Sequence, residues 1–398
     1  MDRKVIFEAF LYNRENETST VYADVAMPAT YYELQDAIEK TRVRGENRYY
    51  MELTEYEGFL FLEPYLEEAD DLYELNALAE KLASLEPWQV DALEGLILME
   101  EAKKEPFGIS RIYDLAASAN ECQVLYNVRT DAELGDFYAS NGFLPELDEL
   151  SDEVRGLLDY CKIGEKMRRD ENGVFLRYST GYVTVIGDLK EEFHTLELPP
   201  RKPDYTVLLE VGVPDAADVV MLGLPCERKA LNDVLTQLNA GGWSVLSWRC
   251  ADCRIPALRD AFSTTDNILY ANLAAKELAE LSDDAAAAFK ALIEAVQPND
   301  INTAMSLLES IDEYVFSPQY SSPDDLAADE LTDLMGESEA ALALPYMDLR
   351  AYGERLLEKN EQIMTSYGVI ERRDGQPILA AQEEQRRQMT GGLEMRGM

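Results

Sequence analysis

The strongest constraint on what this chain can fold into is that its second half repeats the plan of its first. A strand-like run, Val5 to Leu11, opens the chain, and a second, Tyr205 to Val211, lies about 200 residues later. Each is followed by a small residue, an apolar residue and a proline: Ala26-Met27-Pro28 and Gly223-Leu224-Pro225. A short amphipathic helix is then expected in both places, with Leu34, Ala37 and Ile38 aligning with Leu231, Val234 and Leu235 at one constant offset. The longest match is helical. It pairs Asn76 with Asn272, Ala79 with Ala275, Leu82 with Leu278, Leu85 with Leu281, Ala92 with Ala288, Leu96 with Leu292 and Ile97 with Ile293. Self-similarity at a fixed period is the mark of a repeated structural unit.

Within the first copy, Leu72, Leu75, Ala79 and Leu82 step by three and four, the buried stripe of an amphipathic helix. Asp70 or Asp71 is placed to cap it, and Pro87 sits near the start of the next helix. Both copies therefore read as an αα-hairpin. Val124 to Tyr126 matches Tyr314 to Phe316 as a buried strand, and Asp159, Gly164 and Glu165 match Asp348, Gly353 and Glu354. The expected fold class is α+β, a tandem duplication in which each copy has small mixed β-sheets around a central helical hairpin. Copy 1 is expected over residues 1–190, in parts of about 1–65, 66–105 and 106–190. A stiff proline-rich linker follows at 191–203, then a divergent copy 2 over 204–375. The tail, 376–398, has no periodic pattern and is expected to be disordered.

The chain has 398 residues, with 77 acids against 36 bases and a formal net charge of -41. With 46% hydrophobic residues there is ample material for folded cores in spite of that charge. A surplus of this size costs stability through self-repulsion and steers the molecule toward cations. It equals the charge of about 20 base pairs, roughly 70 Å of B-DNA. No uninterrupted apolar stretch is long enough to span a membrane, and the N-terminus lacks the apolar core of a secretory signal. Five cysteines, an odd and sparse set, fit a reducing cytosol better than a disulfide framework. Cytoplasmic residence is the expectation.

The acids gather in windows with little compensating base. Glu63, Glu67, Glu68, Asp70, Asp71 and Glu74 fall in a stretch containing no Lys or Arg. Glu52, Glu55 and Glu57 precede it, and Asp131, Glu133 and Asp136 follow later. Glu146, Asp148, Glu149, Asp152 and Glu153 form another window, and Asp324, Asp325, Asp329, Glu330 and Asp333 one in the second copy. Like charges at helical spacing cost about 0.2–0.5 kcal/mol per pair, so a surface tuned only for stability would mix the signs. Some of these acids sit at helix starts, where caps and the helix dipole favour anions. That accounts for individual residues such as Asp70, Asp71, Asp324 and Asp325, and not for whole windows. Together they form the candidate partner-binding surface.

Catalytic signals are weak. The single histidine, His194, lies beside the expected linker, which leaves no histidine chemistry in each copy. Cys250 and Cys253 resemble half a zinc or redox motif, without a second pair at a suitable distance and without a counterpart in the first copy. Glycine-rich dinucleotide and phosphate loops and calcium loops are absent, and no metal or cofactor is expected.

The segments YYMELTEYEGF, DLYELNALAEKLASL, ELGDFYASNGFLPEL and LLDYCKIGEKM with NGVFLRYSTGYV, in that order, resemble the ArdA antirestriction family. The resemblance covers roughly residues 3 to 187. It extends more faintly to the second copy, which has SWRCADC where the first has the EYEGF block. It implies an elongated, non-enzymatic mimic of DNA that occupies the DNA channel of type I restriction-modification complexes and so protects incoming mobile DNA. The implied partner is the methyltransferase and specificity core, with no direct nucleic-acid or membrane binding. By the same resemblance, Leu144 to Met167 corresponds to the antirestriction motif and part of a dimer surface. The chain is about twice a typical member's length, so the tandem copies are expected to make a monomeric pseudo-dimer, or else a homodimer. Two rivals stand beside this expectation: an acidic decoy of another DNA-binding defence or nucleoid protein, and an enzyme using the Cys250 and Cys253 pair or a carboxylate site.

Overall fold

A computed structural model describes residues 4–13, 21–43, 49–148 and 150–378. The molecule is a mixed α+β protein, with four small three-stranded sheets among the described residues. Its first half runs β1 (Phe7–Tyr12), β2 (Tyr22–Met27), α1 (Tyr31–Lys40), β3 (Tyr50–Tyr56), α2 (Glu63–Leu66), α3 (Leu72–Ala83), α4 (Pro87–Glu101) and α5 (Ile109–Ala117). It continues with β4 (Cys122–Tyr126), α6 (Asp131–Ser140), α7 (Pro145–Asp148), α8 (Asp152–Arg155), α9 (Tyr160–Glu171), β5 (Val174–Phe175) and β6 (Gly181–Val185). The second half runs β7 (Val207–Gly212), β8 (Val219–Leu224), α10 (Arg228–Gln237), β9 (Ser247–Cys253), α11 (Arg259–Thr264), α12 (Ile268–Glu280) and α13 (Asp283–Val296). It ends with α14 (Ile301–Glu309), β10 (Tyr314–Ser317), α15 (Pro323–Met335), α16 (Glu337–Ala343), α17 (Leu349–Lys359), β11 (Ile363–Thr365) and β12 (Gly368–Arg372).

The strand order β2-β1-β3 in the first half recurs as β8-β7-β9 in the second, and β4-β6-β5 recurs as β10-β12-β11. Alternation explains the central strands: Phe7, Ala9 and Leu11 turn inward from β1, as Val207, Leu209 and Val211 do from β7. In β9 the ladder with β7 slips between Leu208 and Leu209, whose partners are Asp252 and Cys250. Ala251 is the extra residue of this bulge, and both Cys250 and Cys253 end up buried.

The helical hairpins follow from caps and stripes. The Asp71 carboxylate accepts from the amides of Tyr73 and Glu74 to start α3, and the Asn267 side chain does the same for α12. Leu72, Leu75, Ala79 and Leu82 are fully buried, as the helical spacing predicts. Within each first helix an asparagine amide, buried at Asn76 and half-buried at Asn272, clasps the chain after a proline. Asn76 accepts from the Ala29 amide at 2.6 Å and donates to its carbonyl at 3.1 Å. Asn272 makes the same two bonds to Cys226, at 2.8 and 3.0 Å. From the second helix a carboxylate clasps a hairpin turn. Glu94 accepts from the amides of Arg177, Tyr178 and Ser179 between β5 and β6, and Glu294 accepts from the Ser366 amide and hydroxyl between β11 and β12.

Helices α6 and α9 cross with their backbones in contact. A Cβ on Gly135 would lie 1.9 Å from the Tyr160 carbonyl oxygen, and one on Gly164 1.8 Å from that of Asp131. In the second half Gly353 of α17 is held as tightly: a Cβ there would lie 1.9 Å from the carbonyl oxygen of Pro323, the first residue of α15. Both crossings therefore leave no room for a side chain at the glycine.

By contacts the described chain divides into two compact units. The first comprises Met1–Phe10, Ala26–Ala29 and Met51–Arg201. In it a small core of Leu125, Val128, Leu134, Tyr138 and Tyr182 lies beside α6 and α9. Residues 190–193, within or next to the expected linker, are tied to α5. The Lys190 amide donates to the Ser118 hydroxyl, and the amides of Glu192 and Phe193 donate to Asp114. The second unit comprises Leu11–Val25, Thr30–Tyr50 and Lys202–Met398, around a large core that runs from β7 through α12 and α13 to Ile370. Helix α1 belongs to this second unit, although it lies early in the chain. Of the tail expected to be disordered, 379–398 lies outside the described residues.

Candidate acidic binding surface

In the first unit the acidic window is built by alternating apolar pegs with outward carboxylates. Glu52 and Glu55 are exposed on β3, and Glu57 is exposed just beyond it. Gly58 follows with φ +76, a left-handed turn that favours glycine. Phe59, Phe61, Leu62 and Leu66 then anchor a short helical segment, with Phe59 and Leu66 each 1% exposed, and Glu63, Glu67 and Glu68 face outward between them. Asp70 and Asp71 are exposed, and Glu74 is half-buried on the first turn of α3. Burial, then Asp71 and Asp70, push the Glu74 carboxyl above its usual range. Burial, then Glu63 and Glu67, push the Tyr56 phenol up likewise. Burial leads both shifts, and the neighbouring carboxylates add to it at these two side chains. Residues 51–100 carry 14 acids against one base, Lys81.

The other predicted acids divide differently. Asp131 is held by Arg168 through two bonds of 2.7 and 3.1 Å, so its charge is balanced at the α6–α9 crossing. Glu133 closes the capping box of α6 and accepts from the amides of Arg129 and Thr130. Asp136 is exposed and accepts from the Ser140 hydroxyl at 3.0 Å. Glu153 is exposed on α8. Glu149 and the side chains of Glu146, Asp148 and Asp152 lie outside the described residues.

In the second unit Asp325 is likewise committed, as the reciprocal partner of the α15 cap Ser322 and an acceptor from Ser321. Asp324 is half-buried in the first helical turn. Asp329 accepts from the Tyr320 hydroxyl, a bond that, with burial, raises that phenol. Glu330 and Asp333 are exposed on the same helix, with Glu337 and Glu339 beyond them on α16. Two acid fields thus present outward carboxylates, at 52–74 and at 329–339. Asp131, Glu133 and Asp325 instead do structural work that sequence position alone does not reveal.

The residues singled out for chemistry are placed as follows. His194 is exposed in a short turn within residues 191–203. Cys250 and Cys253 are 2% and 0% exposed, and burial with the neighbouring Cys250 pushes the Cys253 thiol well up. Between them Asp252, fully buried, accepts from the Thr30 hydroxyl at 2.7 Å, the Tyr205 hydroxyl at 3.0 Å and the Cys253 amide at 2.9 Å. Burial raises its carboxyl. Among the described residues no group of three or more His, Cys, Asp or Glu is placed to hold a metal ion, and no helix is long and apolar enough to cross a membrane.

A second ionic site escaped the sequence. On α1, Asp36 is 4% exposed and accepts from Lys290 at 2.7 Å, Lys40 at 2.9 Å and the Tyr367 hydroxyl at 2.7 Å. Burial by itself would raise the Asp36 carboxyl, yet Lys290 and Lys40 hold it below the usual range. Lys290 also bonds Glu39 at 2.6 Å, and these acids raise its ammonium against the effect of burial. No period or motif marks the long-range pairing, because the partners lie in segments far apart in the chain. No protein-family model matches the chain, and no curated protein is similar to it.

Proposed function

We propose that this chain is a non-catalytic DNA mimic that acts by presenting carboxylates to the basic DNA channel of a type I restriction-modification complex, as the ArdA-like segments suggest. The observation that carries the proposal is the 52–74 surface: outward acids on buried apolar pegs, with no lysine or arginine between them. A surface selected for stability alone would interleave bases. A surface that replaces duplex phosphates gains the steering and counterion release that DNA enjoys at the same channel.

The companion proposal is that the chain is a tandem duplication. Its support is the recurrence of strand orders, the Asn76 and Asn272 clasps, and the glycine crossings at Gly164 and Gly353. Two copies in one chain would serve as the pseudo-dimer of what shorter relatives assemble from two chains. Sedimentation tests that part: a monomer agrees with it, and an obligate dimer joined through both copies contradicts it.

A pull-down on a purified methyltransferase and specificity core, titrated with salt and competed with duplex DNA, tests the function. Mimicry requires binding that weakens steeply with salt and is displaced by the duplex. Binding indifferent to both overturns it, and capture of a nucleoid protein in place of the core points to the acidic-decoy alternative.

A further inference from the structure

Resting on the two-copy reading, two exposed positions of the acidic face, Glu57 and Glu63, and one buried acid, Glu94, can be located in the second half by their backbone places. Glu57 donates its amide to the Ile6 carbonyl, and Arg254 donates its amide to Thr206 at the matching place beside the central strand. Glu63 is the first residue of the helix that follows a short turn at residues 60–62, and Arg259 is the first after the turn at 256–258. Glu94 and Lys290 are each the eighth residue of the second hairpin helix. Three acids of the first half are thus three bases in the second.

Two of those bases hold α1. Lys290 takes Asp36 and Glu39, and Arg259 pairs with Glu33, which also closes the α1 capping box. Around them the Tyr32 hydroxyl donates to the Tyr205 carbonyl at 2.7 Å, and Thr30, the α1 cap, donates to Asp252. Arg254 steadies the wall by donating to the Leu278 and Leu281 carbonyls at the end of α12. Helix α10 occupies the corresponding place after its own strand pair and shows the contrast. Its sixth residue, Asp233, and its second, Lys229, are exposed, whereas the sixth and second of α1, Asp36 and Tyr32, are buried.

We propose that the face of the second half spanning Arg254, Arg259 and Lys290 is a clamp for α1 and not a second partner-contact surface. A base in place of an outward acid at Arg254 and Arg259 removes the mimic's charge there, and Arg259 with Lys290 supplies the complement of α1's acids. Outward mimicry in the second half then belongs to α15 and α16, where residues 301–350 carry 11 acids against one base.

Hydrogen exchange on the full-length chain tests the clamp without any partner. In an Arg259→Glu, Lys290→Glu variant, which restores the first half's charges, amides of residues 31–40 are expected to exchange at least tenfold faster, with those of 228–237 changed less than twofold. A milder Glu33→Gln, Glu39→Gln variant, which leaves the clamp residues in place, should speed 31–40 about threefold. Unchanged protection of α1 in both variants overturns the proposal, as does equal loss at α1 and α10 in the milder one. A chain that bound no restriction complex at all would sink the mimic and leave this exchange result standing. For the contact half of the claim, Asp260→Asn, Asp266→Asn, Asp284→Asn should leave capture by the methyltransferase core within twofold, and a tenfold loss would contradict it.

Discussion

On the proposed two-copy reading, residues 52–94 and residues 249–290 hold corresponding places and carry opposite chemistry at three of them. In the first, the chain after the edge strand points Glu57 and Glu63 outward and leaves their field uncancelled by neighbours in sequence. In the second, Arg254 and Arg259 stand in those places; Arg254 bonds the end of α12, and Arg259 with Lys290 holds the acids of α1. The difference teaches that strand order and helix caps set where a side chain emerges, while its charge decides whether the surface meets a partner or the rest of its own unit.

The largest effect expected from breaking this contrast is at Lys290. Lys290→Met leaves Asp36 buried with half its cationic support, and loss of one partner of a buried pair costs about 3–5 kcal/mol. A drop in the denaturation midpoint of the full chain, with early loss of α1 protection, checks it. At the matching eighth position, Glu94→Ala strands three backbone amides in the turn at 177–179 and should cost about 1–3 kcal/mol, read the same way. Gly164→Ala drives a methyl into the Asp131 carbonyl and is expected to cost about 1–3 kcal/mol by parting α6 from α9.

Acid titration separates the two faces by sign. The Asp36 carboxyl lies below its ordinary value of 3.8 in the fold, so its contribution is complete above that value and is lost as pH falls through the lower folded one. Glu74 is raised above its ordinary 4.5, so the fold disfavours its charge at neutral pH and is relieved of that cost on acidification. Exchange at residues 31–40 should accordingly quicken only below about pH 4. Glu74→Gln should stabilise slightly at pH 7, by a few tenths of a kcal/mol, with the gain vanishing below about pH 4 in paired unfolding curves.

Much of the frame was legible beforehand because burial leaves a period. The Leu72, Leu75, Ala79 and Leu82 stripe, the Asp71 cap and the Asn76 to Asn272 correspondence all describe local geometry, and all have a definite structural part. What escaped was long-range pairing. Nothing around Asp36 indicates that its lysine lies 254 positions away, and nothing around Asp131 indicates Arg168 across a helix crossing. The acid windows were visible as composition. Which acids are committed to the fold was not, since Glu133, although exposed, and Asp325 have the same sequence surroundings as their neighbours but turn back onto helix caps.

Displacement of a labelled duplex from a type I methyltransferase core tests the central claim most directly. The intact chain should displace it with a steep salt dependence. Replacing Glu63, Glu67, Glu68, Asp70 and Glu74 together by their amides should weaken displacement at least tenfold, and any one alone less than about twofold, because a spread field has no single essential charge. If the five-fold variant displaces the duplex as well as the intact chain does, the 52–74 surface is not what the complex reads.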